Sequence, residues 1–582
     1  MAEYRAPTRD MLFMLNEVLD ADRIRSLPGY DDYDPDTVSA VLDEASRFAG
    51  EVLSPLNRSG DTEGVKWSAD GVTPAAGFGA AYQQYVEGGW NGLTGSADHG
   101  GMGMPRVLGA AATEMWNAAN MSFALCPLLT ASAVEALENH GSDALKQTYL
   151  DKLVTGEWTG CMDLTEPQAG SDLAQVRSRA EPDGDAYRLF GQKIYITWGE
   201  HDMADNIIHF VLARLPDAPA GVKGISLFLV PKFILDADGN PGERNDMRCA
   251  SIEHKLGIHA CPTCTMSFGE DGQGALGYLV GEENKGLAHM FTMMNAARHA
   301  MGLQGLGVAD RAYQHALEYA RERQQGGRAI VEHADVKRML LTMRSQTDVL
   351  RALCLDSAAA MDVAERSGND DERAAAQARA DVLIPVVKAW GTELGVDIAN
   401  TGIQIHGGMG FVEETGAAQY LRDARIAPIY EGTNGIQAID LVGRKLIRDE
   451  GRGMRALIAD IRATADGRAE GANEHPALSK ALDLLEQATD TLLEAGRDAA
   501  MANAFNYLML CGTVFGGWYA ARIADVAKAA LDDNTDETDF YEARQACARF
   551  YVRQILPKAQ GYAAMVAGGP EAVDSVDAAR HL

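Results

Sequence analysis

Leu164-Thr165-Glu166-Pro167-Gln168-Ala169-Gly170-Ser171-Asp172, followed some twenty residues later by Gly191-Gln192-Lys193-Ile194-Tyr195-Ile196-Thr197, marks where the chain changes its period. Upstream the pattern is helical. Asp36 to Phe48 repeats apolar residues at three and four, and alanine-rich Leu108 to His140 does much the same. Between them Gly92 to Pro105 carries too many glycines for a stable helix or strand and reads as a loop. From about Cys161 to Val280 the segments alternate or run apolar over short lengths: Tyr187–Phe190, Ile194–Thr197, Ile207–Ala213 and Ile225–Val230. Pro-Asp-Gly-Asp and Ala-Asp-Gly-Asn turns accompany them, so this is a β domain set into a helical chain.

Helical periodicity returns near Gly286 and lasts to about Ile447, in segments long enough for a bundle. A further helical region follows Gly451, where Leu478, Leu482, Leu485, Ala488 and Leu492 form one apolar stripe and Ala499 to Ala529 forms another helix. The acidic patch Asp532 to Glu537 reads as a solvated loop. The expected fold class is mainly α with a central β domain. Its expected parts are a helical N-terminal domain (1–160), the β domain (161–285), a four-helix-bundle domain (286–450) and a helical C-terminal extension (451–582).

Composition narrows the function. The chain has 582 residues, which a prior of about 150 per domain turns into three or four domains. Lys plus Arg number 52 against 83 Asp plus Glu, and the formal charge of −31 argues against a nucleic-acid partner. Eight scattered cysteines fit a reducing cytoplasm better than a disulfide scaffold. Cys261-Pro262-Thr263-Cys264 has no second pair at zinc-site spacing, so no metal is expected. The N-terminus, from Met1 to Pro7, has no apolar signal core. The charge-free run Ala499 to Ala521 has the length of a membrane span but contains Asn503, Asn506, Gly512, Gly516 and Gly517, which favours a buried helix.

Three chemical motifs are missing or out of place. Gly302-x-x-Gly305-x-Gly307 lies inside a helical pattern, where it serves close packing rather than dinucleotide binding. Gly-x-Ser-x-Gly and His-Glu-x-x-His do not occur, which disfavours a hydrolase or zinc peptidase. What is present is Tyr430-Glu431-Gly432-Thr433-Asn434-Gly435, set after Gln404-Ile405-His406-Gly407-Gly408. A carboxylate shielded from water beside glycines, where backbone can approach a flat ligand, can act as a base near neutral pH. In the β domain, small residues around Pro167 can wrap a polar ring edge, and Tyr195 with Thr197 offers an aromatic face and a hydroxyl on one side of a strand.

Taken with Arg298 and Arg323, these passages resemble the acyl-CoA dehydrogenase family, in consistent order over about residues 40 to 445. The resemblance implies FAD as cofactor, an acyl-CoA substrate, and a helical domain, a β-barrel or sandwich and a four-helix bundle around them. It implies flavin contacts for Thr165, Ser171, Tyr195, Thr197 and Thr433, and substrate contacts for Ser171, Asn295, Arg298 and Gly432. Arg323, Gln404 and Gly408 match positions that reach the flavin of a neighbouring subunit, which implies a homodimer or homotetramer. Position 195 is often Trp in the family; Tyr keeps a ring able to stack. Glu431 matches the catalytic base. Some members carry that carboxylate on the helix instead, at the position that is Ala297 here. The sequence departs from the family at Gln324-Gln325-Gly326-Gly327 and at Gly435, which bears on contacts with the adenosine end.

The reach beyond residue 450 separates the chain from shorter members. With Gly443-Arg444-Lys445-Leu446 it looks like the large branch that includes an enzyme taking 3-(methylthio)propanoyl-CoA in dimethylsulfoniopropionate catabolism, so that or another short acyl-CoA is the expected substrate. Met290, Met293, Met294 and Met301 would suit a thioether, though Met-rich helix faces also serve as plain core. The resemblance implies electron-transfer flavoprotein as acceptor. An oxidase of similar fold, reoxidised by oxygen, is the alternative, as is a non-enzymatic DNA-associated relative. Residues 451 to 582 hold 13 Lys plus Arg and 19 Asp plus Glu, a net of −6, which speaks against DNA.

Overall fold

The computed structural model describes residues 3–467 and 474–581; Met1 and Ala2, at the head of the N-terminal stretch read above, lie outside them. Internal contacts divide the chain into two compact units. A helical unit comprises Met1–Ser46, Pro105–Ala118 and Arg298–Leu582; a sheet unit comprises Arg47–Met104 and Ala119–Ala297.

The sheet unit is built on eight strands: β1 (Trp158–Asp163), β2 (Arg179–Asp183), β3 (Ala186–Thr197), β4 (Asn206–Ala213), β5 (Ser226–Pro231), β6 (Met247–Ile252), β7 (Thr263–Phe268) and β8 (Ala275–Leu279). Their order is β6-β7-β3-β8-β5-β4-β1, with β2 paired to β3. All pairings in it are antiparallel except β1 with β4. Strands β1, β4, β5 and β7 are buried at every residue. That explains why they read as apolar runs rather than as alternation. The two segments read at Tyr187 and Ile194 are one twelve-residue strand.

In the helical unit, α1 (Arg106–His140) begins and then leaves for the sheet unit. The alanine-rich pattern predicts one uninterrupted helix there. The chain instead takes extended geometry at Asn120 (φ −161°, ψ 91°), whose Oδ1 accepts the Phe123 N–H at 3.1 Å as a side-chain cap for the second half. Three long helices follow: α2 (Gly286–Glu322), α3 (Ala334–Arg366) and α4 (Asp370–His406). Gly302 and Gly305 do what the packing reading expects. A Cβ on Gly302 would stand 2.3 Å from Val387 Cγ1, and one on Gly305 2.3 Å from the Gly391 carbonyl oxygen. Backbone contact at this range is open only to glycine, so α2 and α4 close up along a parallel seam.

The extension supplies α5 (Arg452–Asp466), α6 (Glu474–Glu494), α7 (Ala504–Asp532) and α8 (Thr538–Phe550). Leu478, Leu482, Leu485, Ala488 and Leu492 are all buried, as their stripe predicts. The charge-free run is broken at Asn503, between Arg497–Ala502 and Ala504–Asp532. Among the described residues the one helix long and apolar enough to cross a membrane is α1, and 89% of its most apolar window is buried inside the protein. The membrane-length candidate is thus corrected from the Ala499 run to α1.

Candidate active site

Within the helical unit the α2–α4 seam sets the stage. Arg298 lies one turn before Gly302 on α2 and Lys388 next to Val387 on α4, so the glycine contact brings both cations to one place. The segment Tyr430-Glu431-Gly432 meets them there. Glu431 sits at φ +55° and Gly432 at φ +83°. For a residue other than glycine the left-handed region costs of order 1–3 kcal/mol and persists only where surroundings impose it, commonly at functional sites. A helical turn, Asn434–Asp440, follows at once, with Thr433 as its cap: Thr433 Oγ1 accepts the Ile436 N–H at 3.2 Å. Gln437 Nε2 donates back to the Gly432 carbonyl at 3.2 Å. A Cβ on Gly432 would stand 2.8 Å from that nitrogen, so the Gln437 amide would have to shift, and φ +83° strains any other residue there.

Glu431 itself is half-buried, and its backbone N–H donates to no group among the described residues. Burial pushes its carboxyl above the usual range, while Lys388 and then Arg298 pull the other way. Arg298 is 4% exposed and points Nη1 at Asp440 Oδ2, 3.7 Å away. Tyr430 OH donates to Gln304 Oε1. The position that could carry a rival carboxylate, Ala297, is fully buried and has only a methyl. This arrangement presents a carboxylate of raised basicity next to an open backbone donor, the two groups needed to take a proton α to a carbonyl.

Arg323, Gln404 and Gly408 are exposed and lie away from this cluster, at the far ends of α2 and α4. The Tyr319 and His406 rings meet at 4.5 Å and bring those two ends together. Thr433 is placed with Glu431, its oxygen engaged in the cap.

In the sheet unit Thr165, Tyr195 and Thr197 lie on or against β3, and Ser171 is exposed in the loop that follows Thr165. Opposite Thr265 the ladder between β7 and β3 shifts register, leaving Ile194 and Tyr195 against one partner. At that bulge Tyr195 takes φ +61°, and Trp198 follows at φ +51°. The bulge re-aims the tyrosine, whose ring is 60% exposed while Ile196 is 2% exposed. Thr165 stands beside it, its carbonyl accepting the Ile194 N–H at 2.9 Å. The hydroxyls of Thr165, Ser171 and Thr197 donate no hydrogen bond among the described residues. A flat ring presented with unspent hydroxyl donors fits a flavin edge. Asn295 is exposed on α2, whereas Met290, Met293 and Met301 are buried core.

A buried ion pair fixes this loop to the strand. Lys193 Nζ donates to Glu166 Oε1 at 2.7 Å and to the Leu164 carbonyl at 3.1 Å, and Glu166 also accepts the N–H groups of Arg177 and Ser178. Burial opposes ionisation of Glu166, but Lys193 and those donors outweigh it and hold the carboxyl at about 2. Replacing Lys193 by Met strands a buried carboxylate and is expected to cost about 3–5 kcal/mol. Because the native value lies below the ordinary 4.5, the pair's contribution is complete above that pH and lost as pH falls toward 2. A thermal melt of the variant at pH 7, and of the parent protein from pH 6 to 3, measures both; an unshifted melt would refute the clamp.

The sequence reading missed Lys388, Trp198 and a buried trio in the sheet. Cys161, Asp163 and His209 offer ligand atoms within 4.8 Å of one another, and contacts of 3.1 to 3.4 Å within the trio are accounted for by hydrogen bonding. All eight cysteines, Cys261 and Cys264 included, are free and buried.

The fold and the Glu431 cluster define a class, and comparison names it. Residues 35–157, 161–270 and 284–447 match the models of the acyl-CoA dehydrogenase N-terminal, middle and C-terminal domains, and residues 457–577 match the acetyl-CoA dehydrogenase C-terminal-like model. The chain belongs to the acyl-CoA dehydrogenase family and is an FAD-dependent enzyme acting on an acyl-CoA. It is 48% identical to 3-methylmercaptopropionyl-CoA dehydrogenase of Ruegeria pomeroyi over 95% of this chain and 96% of that one. It is 34% identical to a broad-specificity linear acyl-CoA dehydrogenase of Mycobacterium tuberculosis over 96% of each. A solved structure from Caenorhabditis elegans, ACDH-11 in complex with C11-CoA, shares the fold with a TM-score of 0.77 at 21% identity, covering 95% of this chain and 92% of that one.

Proposed function

We propose that the substrate is 3-(methylthio)propanoyl-CoA or another short acyl-CoA, that the product is the trans-2-enoyl-CoA, and that Glu431 removes the α-proton. The observation that carries this reading is Glu431 in a left-handed turn, its carboxyl pushed up by burial and its N–H open. The identity of 48% with the methylmercaptopropionyl-CoA enzyme supports the acyl group. FAD, when bound, would supply the acceptor for the β-hydrogen as hydride. The Glu431 N–H donates to the thioester carbonyl, stabilising the developing enolate charge and acidifying the α-hydrogen. Arg298, Asn295, Gly432 and Ser171 line the substrate. Thr165, Ser171, Thr197 and Thr433 offer polar contacts to the cofactor and Tyr195 a face to stack on. Arg323, Gln404 and Gly408, exposed at the helix ends, reach the cofactor of a second copy in a homodimer or homotetramer. Electron-transfer flavoprotein takes the electrons. Eight free, buried cysteines support a reducing compartment, the cytoplasm, and the substrate places the reaction in dimethylsulfoniopropionate catabolism.

Anaerobic mixing of holoenzyme with methylthiopropanoyl-, butyryl-, octanoyl- and palmitoyl-CoA, read by flavin bleaching and dye reduction, tests the substrate. The expected result is kcat/KM at least about tenfold higher for the two short thioesters than for palmitoyl-CoA. Preference for the long chain would overturn the short-acyl reading.

A further inference from the structure

Lys388 has no part in the chemistry above, yet it occupies the same site. Its side chain is fully buried, and its Nζ donates to a single neutral acceptor, Asn434 Oδ1, at 2.9 Å. An ammonium carries three donors, so one amide oxygen leaves it in need of counter-charge. Asn434 opens the helical turn directly after Thr433 and is itself held from three sides. Its Nδ2 donates to Glu393 Oε1 at 2.8 Å, Thr392 Oγ1 at 3.1 Å and the Ala389 carbonyl at 3.2 Å. All three lie on α4, within five residues of Lys388. The charged groups that bear on Lys388 are Glu431 and Glu393, which favour its ammonium, and Arg298, which opposes it. Arg298 is set against Asp440 and is also influenced by Arg444.

We propose that Lys388 is a positioning residue for the α-proton transfer: buried on α4 and bonded to Asn434, it fixes the turn that carries Glu431 and supplies a cation to the cluster in which that carboxylate sits. The proposal rests on Glu431 as the base. Burial brings Lys388 down to about 7, against the pull of Glu431, which favours its ammonium. The two groups act as a coupled pair in which each favours the other's charged form.

The test is the pH profile of anaerobic flavin bleaching in holoenzyme, from pH 5.5 to 9, for the wild type, Lys388→Met and Lys388→Arg, with KM and bound FAD measured alongside. In Lys388→Met the acid limb moves alkaline by one unit or more. On the acid limb bleaching falls by up to about tenfold for each pH unit that the limb moves, and activity returns toward pH 9 as the carboxyl ionises without help. Lys388→Arg keeps the charge and keeps the limb within about 0.3 unit of the wild type. A Lys388→Met profile superimposed on the wild type overturns the proposal. Should that variant lose its flavin, the coupling is read from the other side. The ¹³Cε signal of Lys388, assigned by its loss in Lys388→Arg, titrates at lower pH in Glu431→Gln than in the wild type, because coupling is reciprocal. Equal midpoints overturn the proposal. Full bleaching by Glu431→Gln instead overturns Glu431 as base, a separate failure.

Discussion

Glu431→Gln is expected to retain FAD and acyl-CoA but to bleach its flavin about a thousandfold more slowly than the wild type, within the range of about 10²–10⁴ that a positioned general base supplies. The amide matches the carboxylate in shape, so the change removes only the proton acceptor. The turn survives it, because its supports lie elsewhere. Thr433 caps the following helix, Gln437 holds the Gly432 carbonyl, and Asn434 is tied to α4 by five hydrogen bonds; none involves the Glu431 carboxylate. No other carboxylate inherits the task, since Ala297 presents a methyl at the alternative position. In the wild type the sign of the pH effect follows from the raised carboxyl. Below its native value the group is protonated and cannot accept, so the acid limb of bleaching lies above the ordinary carboxylate range of about 4.3. Stopped-flow bleaching of the variant with saturating substrate, and melting within a few degrees of the wild type, check both halves. Wild-type bleaching would sink the assignment.

How far the sequence carried this reading varied with the kind of information each residue holds. The change of period at Leu164 and its return near Gly286 are properties of local pattern, and the strands and bundle helices fall where that pattern puts them. Gly302 and Gly305 were legible too, because glycines in a helix invite a packing reason. Lys388 was not. A lysine in an alanine- and valine-rich helix reads as part of a solvated face, and it is buried only in the packed bundle, against the turn that carries Asn434. The Tyr195 bulge escaped for a similar reason. Gly191-Gln192-Lys193-Ile194-Tyr195 alternates as a regular strand would, and the extra residue shows only in the register against β7. Asn120 and Asn503 each interrupt helices that composition alone runs straight through, since asparagine costs a helix interior only a few tenths of a kcal/mol in propensity and its capping role depends on context.

Cutting the chain after residue 450 is expected to yield no soluble folded protein, although some solved structures of this fold match only 70–71% of the chain. The reason lies in groups on the bundle that the extension completes. Asp348 is buried and Asp10 half-buried, and both are bonded by Arg544, at 3.0 and 3.1 Å. Without it, Arg344 and Arg351 must also serve Glu114 and Asp310, leaving four carboxylates in one buried network against two guanidiniums. Breaking such a pair costs about 3–5 kcal/mol. Asp356 in the same cut loses the Tyr519 hydroxyl that donates to it at 2.6 Å. Trp390 loses its cover: Gly512 and Gly516 of α7 lie so close that a Cβ on either would fall 2.3 and 3.1 Å from the indole. Uncovering an indole of about 150–250 Å² costs a further 4–6 kcal/mol or so at about 25 cal/mol per Å². These losses alone approach the whole native margin of about 5–15 kcal/mol, before the faces of α5 and α6 are counted. Full-length Arg544→Met isolates the ionic part and is expected to lose about 3–5 kcal/mol in denaturant unfolding while keeping its flavin. A truncated 1–450 chain that is monodisperse and melts cooperatively would show instead that the bundle closes over Trp390 and its buried acids by itself.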